Sequence, residues 1–555
     1  MKGSWRAAVG GSLLLALAGS PDVLAARRPS GDEDAAIVHA LNRLGYGPGP
    51  DEVERVRGIG LDRWIDQQLH PEKIDDRLVE QKLQRFETLR LSPAELMRGY
   101  EVPREAKKEI QRRRAELGEN ASEQEMRQLR RELMEKYGAG MKGSPKQVLE
   151  ELQAAKVLRA AYSERQLDEV LVDFWMNHFN VYAAKGPERF LLAQYERDVV
   201  RPHAWGRFED LLKATAESPA MLFYLDNWLS ADPQGSPMAR PRQGFFGRRR
   251  MAGRDPQMRR PGQQGQAGQG RKRGLNENYA REIMELHTLG VDGGYTQKDV
   301  TEVARCFTGW TLHGVQQDQP GFVFEPRIHD PRDKVVLGHK IKAGGKDEGD
   351  KVIHLLATHP STAHFISYKL ARHFVADEPP KTLVDRAAET FRRTDGDIRA
   401  VVRTIVTSPE FDAQANRAVK VKTPLEFAVS AVRAAGAEVD DPRALLQRVA
   451  DMGMPLYLQQ PPTGYKDTAE AWVSTSGLLA RLNLALDLAA GRLAGVRVDL
   501  ARLAPAGQPL AESLGARLVP SGLTDSTRRT LQSESAADPA RVAGLILGSP
   551  EFQRR

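Results

Sequence analysis

The stretch NENYAREIMELHTLGVDGGYTQKDVTEVARCFTGW, from Asn276 to Trp310, constrains the fold more than any other part of the chain. Asn276 is suited to cap a helix, Glu277 to its first turn, and Gly290 to the position just past its end. Thr296 with Asp299 starts a second helix, which buries Val300, Val303, Ala304 and Phe307 and ends at Thr308-Gly309-Trp310. Two capped helices around a Gly-rich turn predict helix packed on helix. Cys306, the chain's single cysteine, lies beside the apolar face and reads as an inert core thiol.

Much of the remaining chain has the same character. Two helices are expected over 36–44 and 50–69, separated by Gly45-Tyr46-Gly47-Pro48. Residues 103–136 are dense in Glu, Lys and Arg and predict a solvated helical pair broken at Gly118-Glu119-Asn120-Ala121. Ser163-Glu164-Arg165-Gln166 has the pattern of a capping box. The helix after it is apolar almost all round, which requires burial, except for a narrow stripe of Glu169, Asp173, Asn177 and Asn180. A further helix begins at Ser361, with Phe365, Ile366, Leu370 and Phe374 inside and Lys369 and Arg372 outside. Thr423-Pro424-Leu425-Glu426 is another capping box, with Pro at the first helical position. Phe322–Phe324 and Val335–Leu337 are expected to form a small hairpin. A faint repeat, Ser-Pro-Glu-Phe at Ser408–Phe411 and again at Ser549–Phe552, suggests a duplicated helical ending. The fold class is therefore mainly α: a large multi-helix array with a small β-hairpin and long insertions. Its parts are expected at 33–229, with a charged insertion at 103–136, at 275–436, with the hairpin inside 321–341, and at 437–555.

Lys2 and Arg6 precede an apolar run around Leu13–Leu17, and Val23-Leu24-Ala25 is a small-residue cleavage site. Residues 1–25 thus read as a secretory signal peptide, with the mature chain exported. No later segment is apolar enough to span a bilayer. One cysteine allows no internal disulfide, no thiolate zinc site and no c-type haem attachment, so the fold must rest on its core. The net charge of +7 is local: residues 230–274 hold 11 Lys and Arg against 2 Asp, a surplus of 9, which leaves about −2 elsewhere. That Arg/Gly-rich arm, with Arg248, Arg249 and Arg250, is expected to be disordered and suited to anionic surfaces such as lipid headgroups or acidic polysaccharide. The plainer alternative is an insertion tolerated in a surface loop. Export makes nucleic acid the least favoured partner.

Candidate site residues come from the two motif-bearing helices. At 100° per residue Arg281, Glu282 and Glu285 share a face with Asn278, either a solvated face with an Arg281–Glu285 pair or two carboxylates facing a cleft, where repulsion would raise one pKa and Arg281 would damp the shift. His287 falls on the opposite, apolar face. The sharpest expectation is that this carboxylate face meets the stripe of Asp173 and Asn177, with His178 or His329 at its edge. His178, His287, His329 and Asp330 are candidate metal ligands, of types suited to Zn, Fe or Mn. Tyr465, in the loop Pro461-Pro462-Thr463-Gly464-Tyr465, is a candidate binding residue.

The blocks His39–Gly47, Phe174–Phe179, Asn276–Trp310, Phe324–His339, Lys422–Phe427 and Pro461–Tyr465 before Trp472, in this order, resemble a bacterial exported family, domain of unknown function 1800. The resemblance implies export, a helical fold and a partner of the alkaline phosphatase and sulfatase superfamily. It transfers no catalytic residues.

Three functional classes follow: a binding or assembly factor in the periplasm or at the cell surface, a metal-assisted or acid/base hydrolase, and a redox carrier. The missing haem motif and single cysteine disfavour the third. The binding factor ranks slightly ahead of the enzyme.

Overall fold

Helix caps set the frame. The computed structural model describes residues 30–117, 122–138, 141–235, 274–312, 321–499, 510–533 and 538–555. Residues 1–25, expected to be a signal peptide, the expected break at 118–121 and most of the Arg/Gly arm, including Arg248, Arg249 and Arg250, lie outside the described residues. At the arm's base Ser230 and Ala231 are buried, and the Ala231 amide donates to the Gly274 carbonyl at 3.3 Å, so packed chain extends to both edges of the segment.

Six helices carry the residues singled out in the sequence or the cavity described below: α1 (Pro145–Tyr162), α2 (Gln166–His178), α3 (Glu277–Glu282), α4 (Gln297–Cys306), α5 (Pro360–Phe374) and α6 (Pro424–Ala434). Asn276 caps α3 through the Asn278 and Tyr279 amides, and α4 and α6 carry the expected capping boxes, Thr296 with Asp299 and Thr423 with Glu426. The box expected at Ser163 does not form. Ser163 ends α1 and donates its hydroxyl to Asp76, while the Gln166 side chain accepts from the Tyr46 amide. Those long-range partners outcompete the local cap.

The helix expected over 50–69 is two, Glu52–Ile59 and Leu61–Gln68, because Gly60 at φ 89° turns the chain. In the charged 103–136 region, Arg104–Leu117 and Glu123–Tyr137 pack on each other. The expected hairpin is two separate ribbons. Strand β1 (Trp310–Leu312) pairs antiparallel with β2 (Phe322–Phe324), and β3 (Lys334–Val336) with β4 (His339–Ile341), each strand paired with its sequence neighbour. The fold is mainly α with only small two-stranded sheets.

One apolar core runs from Ile37 to Phe552, with a satellite around Leu96, Tyr100, Val148 and Phe190. α2 lies inside it. Trp175 is fully buried, and its indole donates to the Ala204 carbonyl at 3.2 Å. Both phenylalanines of the repeated Ser-Pro-Glu-Phe pattern are buried, and in each copy the serine hydroxyl accepts from the phenylalanine amide. Cys306 is buried and its thiol pushed up to about 12, first by desolvation, as fits an inert core residue. Among the described residues no helix is long and apolar enough to cross a membrane.

Candidate functional site

The polar stripe of α2 is satisfied member by member, and its partners lie across the chain. Arg201 clamps Glu169 with two hydrogen bonds of 2.9 and 2.8 Å. Asp173 pairs with Lys156 of α1. Asn177 donates to the Tyr465 carbonyl at 2.9 Å and accepts from the Tyr465 amide at 2.7 Å. Asn180 donates to the carbonyls of Gln459 and Pro461. Two asparagines thereby staple the 459–465 loop onto the end of α2. Gly464, at φ 70°, permits the approach, since a Cβ there would collide with Asn177.

Between this stapled loop, α2 and α5 lies a cavity of ≈ 220 Å³. Tyr457, in its wall, adopts φ 60°, and its hydroxyl donates to Glu196 at 2.5 Å. Non-glycine residues held in the left-handed region cluster at functional sites.

α5 supplies the cavity's reactive groups. Lys369 and His373, one turn apart, both line it. Lys369 donates to His178 Nδ1 at 2.8 Å. A lysine only donates, so Nδ1 accepts, and Nε2 carries the proton that reaches the His287 carbonyl at 3.1 Å. His178 is therefore neutral, and burial, then Lys369 and His287, hold its pKa well below the usual value. No carboxylate among the described residues lies within ion-pairing distance of Lys369. Burial lowers its pKa to about 8, against the pull of Asp467.

His373 is held by Asp467. Nδ1 lies 2.8 Å from Asp467 Oδ2, and Nε2 has no hydrogen-bond partner among the described residues. Asp467 Oδ1 is in turn 3.1 Å from Lys420 and 3.8 Å from Arg555. Burial opposes its charge, but His373 and Lys420 keep the carboxyl well below the ordinary carboxylate range.

Of the residues singled out in the sequence, Asp173, Asn177, His178 and Tyr465 line the cavity; Arg281, Glu282, Glu285, His287, His329 and Asp330 do not. The expected meeting of the α3 carboxylate face with the α2 stripe does not occur. That face serves α4 instead. Gln297 bonds Glu277 at 2.8 Å and Arg281 at 2.6 Å, while Glu285 accepts from the Tyr295 hydroxyl at 2.9 Å. The two helices meet through rings, His178 with His287 at 6.1 Å and Phe179 with His287 at 5.0 Å. Residues Ile283–Thr288 form a π-helical turn, which shifts the angular spacing that the face assignment assumed. Glu282 is half-buried, and desolvation, then Glu285, raises its carboxyl to about 7. Burial, then Lys369, lowers His287 to about 3.

His329 and Asp330 belong to a different cluster. His329 lies 3.1 Å from Glu348 and 2.8 Å from the Thr308 carbonyl. Asp330 binds Arg305 and Arg332, and Lys334 joins Glu348 to the Asp330 carbonyl. Among the described residues no group of three or more His, Cys, Asp or Glu side chains is arranged to hold a metal ion. Lys369, expected on the outer face of its helix, is the chief correction, because the cavity and not solvent borders that face. Its i,i+4 spacing with His373 was the available signal.

The blocks that carry the resemblance sit where these contacts form, and a family model described as "Protein of unknown function (DUF1800)" matches residues 39–554. The chain belongs to this family. No curated protein and no solved structure was found to match it. In this DUF1800 protein the matched region contains every residue of the cavity, from Lys156 to Asp467.

Proposed function

We propose that the protein is an exported binding factor whose cavity holds a small anion. One observation carries this reading: Lys369 presents an ammonium to the cavity with a neutral imidazole as its hydrogen-bond partner, and among the described residues no carboxylate lies within ion-pairing distance, the charge of Asp467 acting only from farther across the cavity. A buried charge without a partner is costly, and an anionic ligand removes that cost. The cavity suits a molecule of a few heavy atoms. Export rests on the signal-like residues 1–25. A partner of the sulfatase and alkaline phosphatase superfamily, which the family resemblance implies, would release such anions, and the arm at 230–274 would touch anionic surfaces.

The test is thermal unfolding at constant ionic strength with phosphate, sulfate, acetate or citrate against chloride. The expected result is stabilisation by at least one of them, saturating with concentration and lost in Lys369→Met. Equal response in wild type and Lys369→Met overturns the reading.

A second reading, an acid/base enzyme, is favoured by the Asp467–His373 pair. A carboxylate orients the imidazole, and the other ring nitrogen, buried in the cavity wall, has no hydrogen-bond partner among the described residues, the arrangement of a general base that a small movement of the wall would bring to a ligand. This moves the acid/base reading from the α3 carboxylates to α5.

A further inference from the structure

We propose that Lys369 is a nucleophilic amine that condenses with a carbonyl-bearing anion of the 2-oxo acid type, forming an imine inside the cavity. The inference rests on the anion-binding reading and names the chemistry of the ligand.

Comparison among the covered lysines points to Lys369. Lys334 is locked to Glu348, Lys420 to Asp377 and Asp467, and Lys156 to Asp173. Lys422 resembles Lys369 in lacking a carboxylate, since it donates to Ser430 Oγ at 2.7 Å, but the cavity beside it is ≈ 20 Å³, room for about one water. Among the described residues only Lys369 joins a weakly held amine to space for a substrate.

Its surroundings suit the role. The neutral His178 accepts one N–H and fixes the direction of the amine without supplying charge. The Phe365 ring lies 5.5 Å from Nζ and Phe174 stacks on His178 at 6.2 Å, so two aromatic rings cover one side of the amine and its imidazole partner. Such a site favours the uncharged amine, as burial does for lysines that form imines. The lowered pKa of Lys369, about 8, agrees with this.

His373 supplies the proton transfers. Lys369 enters as the free amine, its proton lost to solvent. The nitrogen lone pair attacks the carbonyl carbon, and the carbonyl π electrons move to oxygen, which takes a proton from solvent, replacing the one Lys369 gave up. The nitrogen gives a proton to His373 Nε2, which Asp467 holds facing away from its own carboxylate. His373 returns it to the departing hydroxyl, water leaves, and the C=N bond closes. Ammonium and carbonyl thus become protonated imine and water, with no oxidant or reductant. The protonated imine keeps the positive charge beside the ligand's carboxylate.

The experiment is reductive trapping on the full chain: pyruvate with sodium cyanoborohydride, read by intact mass and peptide mapping, with butanone as a neutral carbonyl control. The expected result is one reduced pyruvate adduct, at Lys369, forming at least about tenfold faster than at the exposed Lys381 and than with butanone, and absent in Lys369→Arg. His373→Gln is expected to slow trapping several-fold while phosphate still stabilises the protein. Adducts no faster at Lys369 than at Lys381, or unchanged in pattern in Lys369→Arg, overturn the inference. If phosphate stabilises wild type and not Lys369→Met while trapping fails, the condensation falls and the anion site stands. If trapping succeeds and no anion stabilises, the anion reading falls and the condensation stands.

Discussion

Gly464 packs so tightly on Asn177 that a methyl group at Gly464 would overlap the Asn177 backbone carbonyl and side-chain amide oxygens. The same loop needs φ 70° at that residue. Gly464→Ala therefore meets both a steric and a conformational penalty, and roughly 2 kcal/mol or more of stability is the expected loss. Denaturant unfolding of the variant would show it. The two Asn177–Tyr465 hydrogen bonds should be strained as well, so the stabilising response to anions should weaken. An unchanged midpoint would mean that the loop is not stapled as described.

Glu282 gives a prediction of opposite sign to the one its position on a carboxylate face suggests. No hydrogen-bond or ion-pair partner among the described residues holds it, and its carboxyl is raised to about 7. The unfolded chain loses this proton near pH 4.3, earlier than the folded chain does. Stability therefore falls as pH rises from about 4 to 7, and the full penalty stands above 7. Glu282→Gln should stabilise at pH 8 by about 1 kcal/mol, after allowance for solvent exposure, and have little effect at pH 4. Paired melts at the two pH values decide it.

The Glu348 cluster should behave in the contrary way. Its carboxylate takes bonds from His329, Lys334 and the Gly344 and Gly345 amides, and its pKa is lowered: burial raises it, but these partners prevail. Glu348→Gln leaves buried Lys334 without its counter-ion, at an expected cost of about 3–5 kcal/mol near neutral pH. Because the folded pKa lies below the unfolded one, the carboxylate's contribution is complete above the unfolded pKa and lost as pH falls through the folded value. The gap between wild type and variant, followed by urea titration, should narrow in acid.

Replacing residues 236–273 by a short flexible linker should shift the unfolding temperature by no more than a degree or two. The hydrogen bond from Ala231 to Gly274 already brings the ends together. A loss of several degrees in calorimetry would show that the segment packs against the fold.

Expression in a bacterium with an intact export pathway should yield a mature chain beginning near Ala26 or Arg27. Intact mass will check this, and retention of residues 1–25 would refute export by cleavage.

The sequence made the helices legible because their signals are local. Asn276, Thr296 and Thr423 cap through amides two or three residues away, and α2 declared its burial through apolar side chains on every face. The candidate site was half legible. Asp173, Asn177, His178 and Tyr465 were singled out and are brought together, but their partners were not, because Asn177 and Tyr465 are 288 residues apart and nothing in spacing encodes that pairing. Ser163 shows the same limit, since a capping pattern yielded to Asp76, 87 residues away. The π-helical turn at Ile283–Thr288 broke the 100° rule at Glu285 alone, since Asn278, Arg281 and Glu282 lie in the regular helix before it. Lys369 was assigned to solvent because a charged residue opposite an apolar stripe usually faces it, and a cavity wall gives the same periodicity.

The long-range bonds make the two sides of residues 236–273 mechanically inseparable. His39 reaches the Phe411 carbonyl, Arg43 the Asn416 carbonyl and Asn177 the Tyr465 backbone, so each side fills the other's core. A protease that cuts between residues 236 and 273 would leave two fragments clasped together, migrating as one particle until denaturant parts them. Neither fragment alone would contain the cavity, since α2 lies on one and α5 and the 459–465 loop on the other. Co-expressed as separate chains, the two should rebuild the site by complementation.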